Sequence, residues 1–215
     1  MFKFVVNQIS QKSRNKKLKQ FYEYLKPKVN DGILEVGVAG HEYSAFDNFL
    51  IKNYPYPENI TALVIGDLSE FKQKYPAVKV VTYDGNSFPF NDKAFDIAHS
   101  NAVIEHVGQF EDQLLFFKEM IRVSKRGMLT TPNKKFPLEI HTRVPFLHWA
   151  PKKVFDSYLN LIGKTWGTGN YMNLLCGRDL KRLLMNCNNI NHKIVKNRFM
   201  GITATFSIFW YNTLT

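Results

Sequence analysis

Apolar and polar positions change their period several times along the chain. In LKQFYEYL, Leu18, Phe21, Tyr22 and Leu25 recur at helical spacing, which predicts a helix with one side on the body of the protein and its lysines in solvent. ILEV (33–36) is a short apolar run closed by a glycine-containing turn. EYSAFDNFLIKNY (42–54) spaces Phe46, Phe49 and Leu50 as a helix does, and Pro55 and Pro57 stop it. ITALVI (60–65) and VKVVTY (78–83) read as β-branched buried strands, and FDIAHS (95–100) as another. EDQLLFFKEMIRV (111–123) carries acids at its start and Arg122, Lys125 and Arg126 near its end, the sense that a helix dipole favours. GMLTTP (127–132) is a strand stopped by proline. PNKKFPLEIHTRVPFLHWAPKK is neither clean helix nor clean strand, RDLKRLLMNC (178–187) returns to helix, and NHKIVKNRF and GITATFSIFW form a closing antiparallel pair.

Strands alternating with helices predict an α/β fold with a mainly parallel sheet. The seven strand-like runs make that sheet seven-stranded and doubly wound, with helices on both faces and a C-terminal antiparallel hairpin. One domain is expected over 1–215, with a basic helical segment at 1–31 and a substrate-covering insertion at 133–177. In such sheets ligands gather beyond the carboxyl ends of the strands, where strand order reverses. The candidates are therefore Gly37–Gly40, Asp67, Asp84, Ser100, Asn101 and Thr131–Asn133.

Charge changes the picture at the amino end. Lysines and arginines number 29 against 18 acids, a formal net charge of +11, and only Glu23 offsets the basic run before Asp31. Such a run favours anionic surfaces, whether phospholipid, nucleic acid or a phosphorylated substrate, although a solvated helix face is the plainer reading. No apolar run reaches membrane-span length, and MFKFVVNQIS lacks the hydrophobic stretch of a signal peptide. Cys176 and Cys187 stand in no metal-ligand spacing, as expected of reduced thiols in a cytoplasmic protein. Weak association with an anionic membrane surface through the basic amino end is compatible with that location.

At the strand ends, ILEVGVAG offers Glu35, Gly37 and Gly40, but without the G-x-G-x-x-G spacing of a nicotinamide dinucleotide site. Asp67 can accept both hydroxyls of a ribose, or equally cap a helix. Asp84 and Gly85 repeat the acid-and-turn theme after the third strand. His106 stands just past the fourth and suits proton transfer near neutral pH, while His141 and His148 lie in the covering segment with Glu139 and Arg143.

FPFNDKAFDIAHSNAVIEHV (88–107), followed by KEMIRVSKRGMLTTPN (118–133), resembles the class I S-adenosylmethionine-dependent methyltransferases of the type 11 group. The resemblance runs from about Gly32 to Trp149 and implies a Rossmann-like fold and S-adenosyl-L-methionine as cofactor. It places Glu35, Gly37 and Gly40 along the methionine part, Asp67 on the ribose with Leu68 against the adenine, Asp84 and Gly85 at the adenine edge, and Ser100 and Asn101 beside the sulfonium. The family's G-x-G-x-G stands here as Gly37, Ala39 and Gly40. His106, from its place past the fourth strand, and His141, from the covering segment, are the candidate catalytic residues. Some relatives hold a divalent ion through E-x-x-E-H; here Ala102 replaces the first Glu, leaving Glu105, His106 and His141, with Glu139 nearby, and no metal is expected. A small-molecule, lipid or glycan acceptor is the leading expectation, methylated on oxygen or another nucleophile. RNA or protein methylation comes second, and a non-catalytic binding protein third.

Overall fold

The computed structural model describes residues 2–213 except 67, 140, 141, 143, 170 and 171, with side chains from Ser10 onward. Seven strands, β1 (Ile33–Val36), β2 (Ile60–Val64), β3 (Lys79–Thr82), β4 (Phe95–Asn101), β5 (Ser124–Pro132), β6 (Ile190–Phe199) and β7 (Ile202–Asn212), form one sheet of order β3-β2-β1-β4-β5-β7-β6. β1 to β5 pair in parallel, and β7 runs antiparallel to both β5 and β6, as the strand pattern predicts. Strand order reverses between β1 and β4.

β1 and β2 are buried along their whole length, because helices cover a parallel sheet on both faces. The alternation of strand side chains divides the core in two. Leu34, Val36, Ala98 and Leu129 pack on one face against α4 (Phe110–Val123) and α6 (Gly177–Met185). Ile33, Ile97, Met128 and Phe209 pack on the other with Phe21, Leu25, Leu50 and Phe71 of α3 (Ser69–Lys74).

Three expectations are corrected. β3 is an edge strand, exposed at both ends, because no strand lies beyond it to bury VKVVTY. The helix expected over 42–54 shrinks to α2 (Phe49–Asn53). Asp47 accepts hydrogen bonds from the backbone of Tyr43 and Ser44, and Asn48 adopts φ +54°, so 43–48 is held as a turn. Within the irregular segment 133–177 lies a regular helix, α5 (Lys152–Leu161), whose Phe155 and Leu159 bury against Val144 and Met172.

The sheet is tightest at Gly127. A Cβ there would sit 2.1 Å from the Trp210 ring and 2.4 Å from the Ala98 carbonyl oxygen. Backbone cannot yield as a side-chain tip can. Gly127→Ala is expected to destabilise the protein by about 1–3 kcal/mol, read as a lowered midpoint of urea unfolding.

Candidate functional site

The point of strand reversal fixes where a site can lie. Register pairs Glu35 with His99 and Val36 with Ser100 across β1 and β4, and Asn101 with Thr130 across β4 and β5. Alternation then turns Glu35, His99, Asn101 and Thr130 to one face, whereas Ser100 turns to the other. The first three of these form one wall of a cleft of about 620 Å³, which continues over the turn Gly37–His41 and is bordered by His106. Glu35 Oε2 lies 2.5 Å from His99 Nδ1, both side chains nearly buried, and Phe21 meets the His99 ring edge-on at 5.6 Å. The acid and the imidazole thus satisfy each other in the floor of the cleft.

α1 (Phe2–Gln20), continued by a π-turn at Phe21–Leu25, forms the roof. Its carboxyl end is pinned to the sheet by a closed set of buried hydrogen bonds. Gln20 Nε2 donates to Asn197 Oδ1, Asn197 Nδ2 donates to Ser207 Oγ, and Ser207 Oγ donates to Gln20 Oε1, each at 2.8 Å. Arg126 adds a second tie, donating to the Leu25 carbonyl at 2.9 Å and pairing with Asp31 at 2.5 Å. With the helix so held, Arg14, Lys17, Leu18 and Phe21 share one stripe, and all four line the cleft. The expectation that the lysines of this helix all face solvent is therefore wrong for Lys17. Lys17 Nζ donates to Asn101 Oδ1 at 3.2 Å and Thr130 Oγ1 at 3.4 Å, and Thr130 Oγ1 donates to Asn101 Oδ1 at 2.6 Å. Burial and the nearby Arg14 charge, only partly offset by Glu105, hold the Lys17 amine down at about 7. Burial also lowers Arg14, against the opposing pull of Asp47 and Glu35.

The turn after β1 is shaped by close approach. Gly37 has φ +84°, and a Cβ on it would fall 2.4 Å from Val103. Ala39 is not among the residues of positive φ, so alanine is accommodated where the family has glycine. Asn48 holds this turn from both sides, accepting from Ala39 N at 2.8 Å and donating to Ala39 O at 3.0 Å. Behind it, Glu42 accepts from Asn48, Lys52, Lys74 and Tyr75.

Residues 53–130 match the family described as "Methyltransferase domain". The match spans a minority of the chain and makes that stretch similar to this family. None of the curated proteins matches its sequence. Among solved structures it is similar in fold to an S-adenosylmethionine-dependent methyltransferase of Methanosarcina mazei (18% identity, 88% of this chain and 95% of that one, TM-score 0.54). It is also similar to the PH0226 protein of Pyrococcus horikoshii OT3 (13% identity, 94% and 91%, TM-score 0.60). A third is the magnesium protoporphyrin IX methyltransferase of Synechocystis PCC 6803, determined with bound S-adenosylhomocysteine (10% identity, 94% and 83%, TM-score 0.54).

The cleft gathers Glu35, Gly37, Gly40, Asn101 and His106, all expected at the site. Ser100 is fully buried, its Oγ donating to the Val36 carbonyl at 3.0 Å, and is absent from the cleft wall. Leu68 is spent in the core beside Phe71, so its side chain is not presented to a ligand. Asp84 and Gly85 lie on the surface at the end of β3, outside the cleft wall. Backbone and side-chain hydrogen bonds from Asn86 hold the Asp84 carboxyl below its usual range. Asp67 and His141 lie outside the described residues. Thr131 and Asn133 serve the fold: Thr131 Oγ1 donates to buried Glu105 at 3.0 Å, and Asn133 Nδ2 donates to the Thr203 carbonyl at 2.8 Å. No group of three metal-ligating side chains occurs among the described residues, nor is any helix among them long and apolar enough to cross a membrane.

The residues that the sequence reading missed are Arg14, Lys17 and His99. Carrying the Leu18–Phe21 stripe one turn back reaches Lys17 and Arg14. Continuing β4 by one residue gives His99 and Asn101 the same parity.

Glu42 yields a pH test. Burial raises its pKa, but the bonds from Lys52, Lys74, Tyr75 and Asn48 outweigh it and hold the carboxyl at about 2. A depressed carboxylate stabilises the fold fully above its ordinary value and loses that contribution as pH falls towards 2. Glu42→Gln is expected to lower stability by roughly 1–3 kcal/mol at neutral pH. In denaturant titrations the gap from the native protein should narrow as pH falls through that window.

Proposed function

We propose that the cleft binds S-adenosylmethionine and that its methyl group passes to a hydroxyl oxygen, or another nucleophile, of a small-molecule, lipid or glycan acceptor. The observation that carries this reading is one cleft, at the reversal of strand order, whose wall mixes acids, bases and bare turn backbone. Its volume of about 620 Å³ falls in the range of roughly 300–1,000 Å³ of small-molecule sites.

The donor set fits the cofactor. Glu35 and Asp47 suit its cationic ammonium and sulfonium groups, and Arg14 suits its carboxylate. The turn Gly37–Gly40 gives the methionine part close access to backbone. Asp67 is assigned to the ribose on family resemblance. For the adenine, Ile65 replaces Leu68 in our assignment: it is 65% exposed at the tip of β2 and stands 3.1 Å from the Cβ position of Gly85. Asp84, ionised beside it, faces the adenine edge in this reading.

When bound, the cofactor supplies a methyl group already activated on a sulfonium. The protein's own task is approximation, which can contribute roughly 7–11 kcal/mol, and removal of a proton if the acceptor is a hydroxyl. His106 borders the acceptor side of the cleft and is one candidate for that proton. His141 belongs to the segment 133–177, which we assign to covering the acceptor. Lys12, Lys16 and Lys19, exposed on the outer side of α1, have the charge to meet an anionic surface that carries a lipid acceptor.

Calorimetry of the whole protein with S-adenosylhomocysteine tests the cofactor site. One ligand per chain is expected, with affinity reduced at least tenfold, about 1.4 kcal/mol, in both Glu35→Ala and Asp67→Ala. Absence of binding at millimolar ligand would remove the site, and unchanged affinity in both variants would overturn the placement.

A further inference from the structure

Among the described residues, Lys17 is the one lysine in the wall of the cleft. It reaches the tips of β4 and β5 from the roof, and its two hydrogen-bond partners are fixed to each other. Asn101 Oδ1 accepts from both Lys17 Nζ and Thr130 Oγ1, while Thr130 Oγ1 accepts from Lys17 in turn. A neutral amine has two N–H donors and one lone pair. Asn101 and Thr130 take the two donors, and the lone pair is left over at the strand tips. An ammonium in the same place would have a third N–H to satisfy.

The charged surroundings point the same way. On its own helix Lys17 faces Arg14; from the turn beyond β4 it faces Glu105 and His106; from β1 and β4 the Glu35–His99 pair; and from the loop after β1 His41 and Asp47. The acid nearest in effect, Glu105, does not outweigh burial and Arg14. A sulfonium bound beside Lys17 would add a further positive charge and favour the neutral amine more strongly.

We propose that Lys17 is the catalytic base: it enters the reaction as a neutral amine and receives the proton of the acceptor. This rests on the cofactor reading given above. In the balanced step the acceptor oxygen bonds to the methyl carbon, and the sulfur keeps the electron pair of the bond that breaks. The acceptor's proton passes to Lys17 Nζ. One positive charge leaves sulfur and one appears on nitrogen, so the net charge of the cleft is unchanged and no ion pair has to form or dissolve in a half-buried site.

The test needs no acceptor. S-adenosylmethionine and S-adenosylhomocysteine carry the same ammonium and carboxylate and differ in the sulfonium, so below about pH 7, where both α-amines stay protonated, effects of the common ammonium cancel between them. Calorimetry of the full chain with each ligand, from about pH 5.5 to 8.5, reads the difference. If Lys17 must lose its proton beside the sulfonium, affinity for S-adenosylmethionine falls by up to tenfold per pH unit below about 7, while affinity for S-adenosylhomocysteine changes much less. Lys17→Met is expected to abolish that slope and to bind S-adenosylmethionine more tightly than the native protein at pH 6. Lys17→Arg, permanently charged, is expected to bind S-adenosylhomocysteine normally and S-adenosylmethionine weakly at every pH. Binding of S-adenosylhomocysteine by both variants reports that they are folded. The proposal is overturned if the native protein treats the two ligands alike across this range, or if the slope survives in Lys17→Met, which would assign it to a histidine. Failure of both ligands to bind the native protein would remove the cofactor site and this proposal with it.

Discussion

The hydrogen-bonded ring of Gln20, Asn197 and Ser207 decides what the amino-terminal helix can do. All three side chains are buried, and each both donates and accepts within the ring. A buried amide without a partner would cost far more than the modest net gain of each bond, so the ring admits one docking position for α1. That position sets Phe21 on His99, and one turn earlier it sets Lys17 on Asn101 and Thr130. The geometry of the cleft roof is thereby inherited from a polar lock on the adjoining strands β7 and β6, where Ser207 pairs in register with Thr130.

The cleft is an electrostatic compromise. A cofactor with an ammonium, a sulfonium and a carboxylate needs charge of both signs around it, and a wall of one sign would trap or repel it. The sheet contributes the acids through Glu35 and the loop through Asp47, while the helix contributes the bases. Two cations on one helical stripe repel each other and lose solvation, and for Lys17 the result is an amine poised near neutrality. Glu35 instead makes a short contact with His99.

Much of this was legible in the sequence, and the failures have physical causes. Strand periods and the segment 88–107 were enough to place β1, β2, β4 and β5, the reversal point, and Glu35, Gly37, Gly40, Asn101 and His106 around it. Ser100 was misplaced because parity depends on where a strand ends, and β4 runs on to Asn101. Loop 43–48 imitates a helix in its apolar spacing, but Asp47 and Asn48 offer the backbone side-chain partners that a helix cannot match. Lys17 was assigned to solvent because the pattern of a helix shows which stripe is buried, whereas only the docking position shows that the stripe extends over a ligand space. Leu68 is enclosed and Ile65 exposed for a related reason: a strand tip and the helix that follows compete for the same core, and the more enclosed position took the leucine.

The lock at Gln20 and the contact at Lys17 are three residues apart on one continuous helix. An α-helix advances about 100° per residue, so a single insertion or deletion between them would swing the amine off the strand tips while leaving composition and helicity almost unchanged. Evolution of this segment should accordingly tolerate exchanges of residue far better than changes of length. A shift in frame would leave a soundly folded domain with its proton acceptor aimed at bulk water.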